Sequence, residues 1–371
     1  MKSKHWMLLA TLALSVALTA CSPGTPTPTS TAAPQATVPA SKPTPLPATP
    51  APPAPVATVA PTSTPEPRTP LVASYSELTP INLPLWIADE QGYFTKHGLS
   101  VDARYVESSL GVSALLSGEE QFAAMGGSES LAAAIGGADL EVLACFSPVY
   151  PYKLEVAADI NTADDLKGRK IGVSRFGSSS DSATRAALRQ IGLDPDKDVT
   201  LVQVGSLAAR TAALLGGNLD AAVAPLPDNL ILEEHGFHPL VDLAADKLPA
   251  VNNVLVARKS WVAAHKDVTQ AYVDAIVEGV AKAKADKPYA LQLIQKYLKD
   301  RAGDATQMSA AYDFDILQVM QMPPVTRPRQ FRDALDQVTS QDPRASDFDL
   351  STIIDNSFVE NAVARGLGKT N

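Results

Sequence analysis

The sequence predicts an α/β protein whose globular part is two similar, doubly wound lobes, and three observations carry that reading. First, strand-like and helix-like segments alternate from Leu71 to Ala257, the pattern of a parallel sheet covered by helices on both faces. Second, one unit occurs twice: Ser113–Glu129 reads SALLSGEEQFAAMGGSE and Ala212–Asp228 reads AALLGGNLDAAVAPLPD. In both copies an Ala-Leu-Leu helix end runs into a Gly (Gly118, Gly217), then a short strand of small and apolar residues. The Gly suits a left-handed helix cap, where a Cβ is disfavoured. Third, each unit closes on a carboxylate, Glu129 or Asp228, just past the carboxyl end of its strand. That rim is where open α/β sheets hold ligands, so the expected site is the cleft between the lobes.

Taken in order, 71–75 is the first strand and 76–83 a polar turn containing Pro80. Pro84 opens a helix, since proline suits the first helical turn. That helix ends between Gly92 and Gly98, before the strand 99–106 (LSVDARYV). Helix 109–117, strand 121–125, helix 129–135 and strand 139–145 follow. A second round has strand 169–174 (RKIGVS), helix 178–191, strand 199–204, helix 207–215, strand 220–224, helix 228–235 and a short edge strand 239–242. The apolar run 251–257 (VNNVLVA) reads as a long strand returning to the first lobe. From Trp261 the chain is helical, with breaks at Pro288, Gly303, Pro323-Pro324 and Pro343. The first lobe is therefore discontinuous, with 71–158 in its first part and 251–371 in its return and C-terminal helices. The second lobe, 159–250, is inserted between two hinge crossings.

Residues 1–20 stand apart: Lys2 and Lys4, an apolar stretch from Met7 to Ala17, and a small-residue end make a secretory leader. Leu18-Thr19-Ala20-Cys21 resembles a bacterial lipobox, which implies cleavage before Cys21, lipid on its thiol and a place on the outer face of the cytoplasmic membrane. Between Cys21 and Pro70 the composition is dominated by Pro, Thr, Ala and Ser. Such a stretch cannot bury a core and reads as a disordered tether with a reach of roughly 150 Å.

Loss of the leader removes Lys2 and Lys4 and takes the formal charge from -9 to -11. An acidic surface argues against nucleic acid as a partner. Cys145 lies in the apolar run EVLACF and reads as a buried thiol, with no second Cys left in the globular part to pair with it. His97, His235, His238 and His265 have no metal-ligand spacing, and no Gly-x-Ser-x-Gly elbow or phosphate loop occurs. The residues thus point to a binding protein without a metal, a cofactor or catalytic machinery.

Pro84-Leu85-Trp86-Ile87-Ala88, Gln91-Gly92-Tyr93-Phe94 and His97-Gly98-Leu99 resemble the opening of the ABC-importer substrate-binding proteins of the nitrate, sulfonate, taurine and thiamine-pyrimidine group. The likeness continues through 166–173 (LKGRKIGV) and 210–220, and ends at 354–358 (IDNSF). It implies a type II periplasmic-binding-protein fold that closes like a hinge on a small ligand and presents it to ABC permease subunits, acting as a monomer. It does not name the ligand. The pyrimidine-synthesising relatives in eukaryotes depend on a Cys-rich motif, for which this chain has no equivalent.

Candidate ligand contacts follow from loop positions. Gly177, Ser178, Ser179 and Ser180 follow a strand and open a helix, so free N–H groups and hydroxyls converge there on an anionic group; the resemblance places the sulfonate-holding loop at the same point. Ser178 with Asp181 equally spells a helix cap. Gly127, Ser128 and Glu129 form the matching loop of the first lobe, with Glu129 able to accept from a donor-bearing ligand. Pro227 and Asp228 lie opposite. The resemblance adds Ser76, Thr79 and Asn82 after the first strand, while Phe146 and Tyr150 could stack on a ring and Asn253 could reach the cleft from the second crossing. Trp86 sits at core spacing. The favoured ligand is an organosulfonate or a related carboxylate, with a nitrogen heterocycle such as a thiamine pyrimidine or riboflavin as the alternative. A surface sensor is the competing reading from another class, and an enzyme a more distant one.

Overall fold

The computed structural model describes residues 68–369. The expected leader, the lipidated Cys21 and the tether up to residue 67 lie outside the described residues. No described helix is long and apolar enough to cross a membrane.

Among the described residues, ten strands form two sheets of five. They are β1 (Thr69–Tyr75), β2 (Leu99–Tyr105), β3 (Phe122–Met125), β4 (Leu140–Val149), β5 (Tyr152–Val156), β6 (Lys170–Val173), β7 (Thr200–Gln203), β8 (Ala221–Pro225), β9 (His238–Asp242) and β10 (Pro249–Arg258). The first sheet has the order β2-β1-β3-β10-β4 and the second β7-β6-β8-β5-β9. The duplicated unit in the sequence therefore has a counterpart in topology. In each sheet the third strand is flanked by a strand that arrives from the other lobe. Gly118 and Gly217 take left-handed backbone (φ 82° and 69°), as the helix ends preceding β3 and β8 require.

Strict alternation implied parallel sheets, and this needs correction. β1 runs parallel to β2 and β3, and β6 parallel to β7 and β8, but β10 is antiparallel to β3 and β4, and β5 is antiparallel to β8 and β9. The reason is connectivity. A strand that crosses from the other lobe does not return through a helix over its own sheet, so the right-handed crossover that makes neighbours parallel does not apply to it.

Each sheet is covered on both faces. On the first, Leu83, Trp86, Tyr272 and Ile276 pack one side, and Leu115, Leu131, Val254 and Phe331 the other. On the second, Leu154, Ile171, Leu188 and Val223 oppose Leu214, Leu219 and Leu232. Trp86 is fully buried and stacks on Tyr297 with ring centroids 4.5 Å apart, consistent with a packing role. The two crossings lie side by side: Val149 pairs with Pro249, and the Tyr150 N–H donates to the Leu248 carbonyl at 3.2 Å.

Candidate functional site

The carboxyl ends of β1, β2 and β3 face those of β6 and β7, and the loops that leave them enclose a cavity of about 30 Å³. The first lobe contributes Ser76, Glu77, Glu107, Gly126 and Glu129. The second contributes Ser174, Ser179, Ser180, the start of helix Leu207–Leu215 and Arg210. A space of this size holds a water or two, so the lobes are essentially in contact.

That contact is polar. Helix Ser179–Gln190 begins at Ser178, whose hydroxyl caps it by accepting from the Asp181 N–H at 3.3 Å. Its next N–H, that of Ser179, donates to Glu129 Oε2 at 3.2 Å, and the Ser179 hydroxyl donates to the same oxygen at 3.2 Å. Glu129 is in the first turn of helix Gly127–Ile135 of the other lobe. A carboxylate of the first lobe thus meets the positive end of a helix in the second. The approach is so close that a Cβ on Gly126 would stand 1.9 Å from Glu129 Oε2 and 2.6 Å from Ser179 Oγ. Ser182 donates to Ser128 Oγ at 3.2 Å, and the Ser179 hydroxyl also reaches the Asn252 carbonyl at 3.3 Å.

Arg210 is the cation of the cavity. It is buried, donates to Ser174 Oγ at 2.5 Å and to the Gly205 carbonyl at 3.2 Å, and its Nε has no protein partner. Burial lowers its pKa, while Tyr152, Glu77 and Asp228 work to keep it charged. Burial raises the Glu77 carboxyl to about 7, against the pull of Arg210 and of the Tyr152 hydroxyl, which donates to Glu77 Oε1 at 3.3 Å. Three glutamates and one arginine line the cavity, together with five serines. Such a lining offers charge-assisted bonds of both signs, around a space that in this closed arrangement admits only water.

The other expected contacts lie away from this cavity. Thr79 and Asn82 are buried beneath the turn after β1, where Asn82 Nδ2 donates to the Glu77 carbonyl at 2.7 Å. Gly127 lies against Val251, to which a Cβ would come within 2.3 Å. Gly177 has φ 79°, and its N–H donates to Asp181 Oδ2. Phe146 belongs to the core of the first lobe. Tyr150 is buried beside the hinge, its hydroxyl donating to Asp333 Oδ2 at 2.6 Å. Pro227 precedes helix Asp228–Glu234, and Asp228 is held by Arg301 at 2.9 and 3.0 Å and by the Thr211 hydroxyl at 3.0 Å. Its charge is therefore spent within the protein. Asn253 is buried on β10 opposite Ser147. Sequence reasoning missed Glu77, Glu107, Ser174 and Arg210 as lining residues; Glu77 and Ser174 stand just past strand ends, whereas nothing local marks Arg210. Among the described residues no group of His, Cys, Asp and Glu is arranged to hold a metal ion.

Comparison with known proteins agrees with this architecture. Residues 80–289, more than half of the chain, match the family model described as NMT1/THI5 like. A protein of Brucella abortus named as a binding protein is 29% identical over 227 residues, covering 60% of this chain and 69% of its own. The riboflavin-binding protein RibY of Chloroflexus aurantiacus is 25% identical over 58% of this chain and 63% of its own. Among solved structures, a protein of Bordetella bronchiseptica has a TM-score of 0.70 at 23% identity, covering 80% of this chain and 98% of its own. The periplasmic aliphatic sulphonate binding protein SsuA of Escherichia coli has 0.60 at 19%, covering 79% and 99%. The desulfurization enzyme DszB, in complex with biphenyl-2-sulfinic acid, has 0.60 at 20%, covering 80% and 99%, so the same fold also carries catalysis. With two equivalent sheets, a paired crossing and this match over more than half its length, the chain belongs to the NMT1/THI5-like family and has the periplasmic-binding-protein fold.

Proposed function

We propose that this protein is the extracytoplasmic solute-binding subunit of an ABC importer. It is anchored through lipid on Cys21, acts as a monomer, closes its lobes on a small polar organic molecule and hands it to the permease. One observation supports this most: a polar cavity is built from the strand-end loops of both lobes, with a buried arginine, Arg210, in its wall. Arg210 is the seat for an anionic group of the ligand, an organosulfonate or a related carboxylate, because its guanidinium offers fixed donors to such a group. A second reading rests on the lining carboxylates. Glu77, Glu107 and Glu129 accept from donors, which suits a nitrogen heterocycle, and a relative is named as a riboflavin-binding protein. Binding rather than catalysis is supported by the relatives and solved structures named as binding proteins, with DszB as the catalytic exception on the same fold.

The test is a thermal-shift screen of residues 68–371 against alkanesulfonates, taurine, carboxylates, thiamine pyrimidines and riboflavin, followed by calorimetry. A ligand at about a hundred times its dissociation constant adds roughly 2.7 kcal/mol. Arg210→Ala is expected to weaken the responding anionic ligand by about tenfold or more. A ligand bound with unchanged affinity by that variant would remove Arg210 from the site.

A further inference from the structure

The start of helix Ser179–Gln190 is where hydroxyls and free N–H groups converge, yet it already holds an anion that belongs to the protein. The Glu129 carboxylate accepts from both the N–H and the hydroxyl of Ser179. It comes from the opposite lobe, across a sequence separation of 50 residues. Its loop is fitted to that place, since any side chain at Gly126 would collide with Glu129 and Ser179 together. Beside the same hydroxyl lies the almost fully buried Asn252, whose side-chain amide makes no close hydrogen bond and has the Tyr152 hydroxyl as a polar neighbour.

We propose that Glu129 is a specificity-determining residue: an internal anion that occupies the helix-start donors, bars small bare anions from them, and joins the two lobes by its own charge. This rests on the reading of the interlobe cavity as the solute site. Two effects work together. An incoming sulfate or sulfonate at this helix start must displace a charge-assisted contact of the protein, and it meets like charge from the carboxylate it displaces. The acidic group of a true ligand is thereby directed to Arg210, where an Nε remains unpartnered. Groups that donate hydrogen bonds are directed to Glu129 and Glu77. The cleft thus selects molecules with donors over the simple oxyanions that a helix start otherwise attracts.

The experiment measures affinity for inorganic sulfate and for methanesulfonate by calorimetry, with thermal melting as a folding control, in the wild-type domain, in Glu129→Gln and in Glu129→Ala. Glutamine keeps the size and an acceptor but removes the charge, and alanine removes the plug. The expected result is a gain in sulfate affinity of about ten- to a hundredfold in Glu129→Ala and a smaller gain in Glu129→Gln. If both variants melt cooperatively and bind sulfate no better than wild type, the inference is overturned. Equal gains for sulfate in a control that removes an exposed carboxylate outside the cavity, Glu360→Ala, would overturn it as well, since the effect would then not belong to residue 129. The outcome is separable from the solute-site reading. A ligand lost in Arg210→Ala with no sulfate gain at 129 sinks the role of Glu129 alone. A sulfate gain at 129 with no ligand responding to Arg210 sinks the assignment of Arg210.

Discussion

Glu77 takes its place on the titration scale from neighbours that pull in opposite directions. Burial raises its carboxyl most, Arg210 draws it down, Glu129 raises it again, and the Tyr152 hydroxyl lowers it by donating to the ionised form. Tyr152→Phe removes that donor, together with the support that the hydroxyl lends to the charge of Arg210. The Glu77 pKa is then expected to move upward from about 7, as read from the carboxyl carbon shift in an NMR titration; a fall would show that the hydroxyl does not act on Glu77. Residues of this kind are poorly legible in a sequence. Glu129 and Ser179 were each readable as contacts because each follows a strand end. That they face one another is a fact about pairs 50 residues apart, which no local pattern carries. Arg210 was less legible still, since a lone arginine among Ala and Leu on a helix reads as a solvated position. Asp228 misled for the mirror reason: its partner Arg301 comes from a part of the chain 73 residues away.

At the scale of elements, β5 is the one strand the sequence reading passed over, and its composition says why. Tyr152–Val156 reads YKLEV after a proline, with Lys153 and Glu155 alternating against apolar residues, as on a solvent-facing edge. In the fold it lies between β8 and β9 with both faces covered. Lys153 escapes by pairing with Glu233 at 2.9 Å, but Glu155 is fully buried, and neither carboxyl oxygen has a partner. Burial, together with the Glu233 charge, pushes its pKa up to about 8. Glu155→Met keeps the volume and removes an unsatisfied polar group. It is expected to stabilise the domain by about 1–3 kcal/mol at pH 8, in urea unfolding monitored by circular dichroism. A loss of stability would mean that the buried carboxyl is supported by contacts the strand pairing does not supply. The remaining strands were legible because their apolar runs end at glycines and polar loops, whereas their direction depended on which lobe each strand came from.

The whole molecule inherits its pH response from such buried acids. Glu77, Glu120 and Glu141 titrate near 7 and Glu155 near 8, each raised chiefly by burial from an ordinary value of 4.5. For an acid raised by folding, the unfolded chain releases its proton first, so the penalty is absent below about pH 4.5 and grows until the pH passes the folded value. Exposed carboxylates held by bases work the other way: Glu90 beside Lys296 and Asp159 beside Arg169 are depressed, and their contribution is lost only in stronger acid. The melting temperature is therefore expected to peak near pH 5 and to fall steadily towards pH 8, as followed by scanning calorimetry. A maximum at or above pH 7.5 would contradict the balance of these groups. The fold also fixes how the two halves can move. Chain enters and leaves the second lobe at one place, with Val149 paired to Pro249 and Tyr150 bonded to Leu248. Two strands tied side by side resist sliding past one another, so the two halves stay in register along the cleft however far apart they stand. The distance between two labels facing each other across the cleft is therefore a direct measure of how far they have parted.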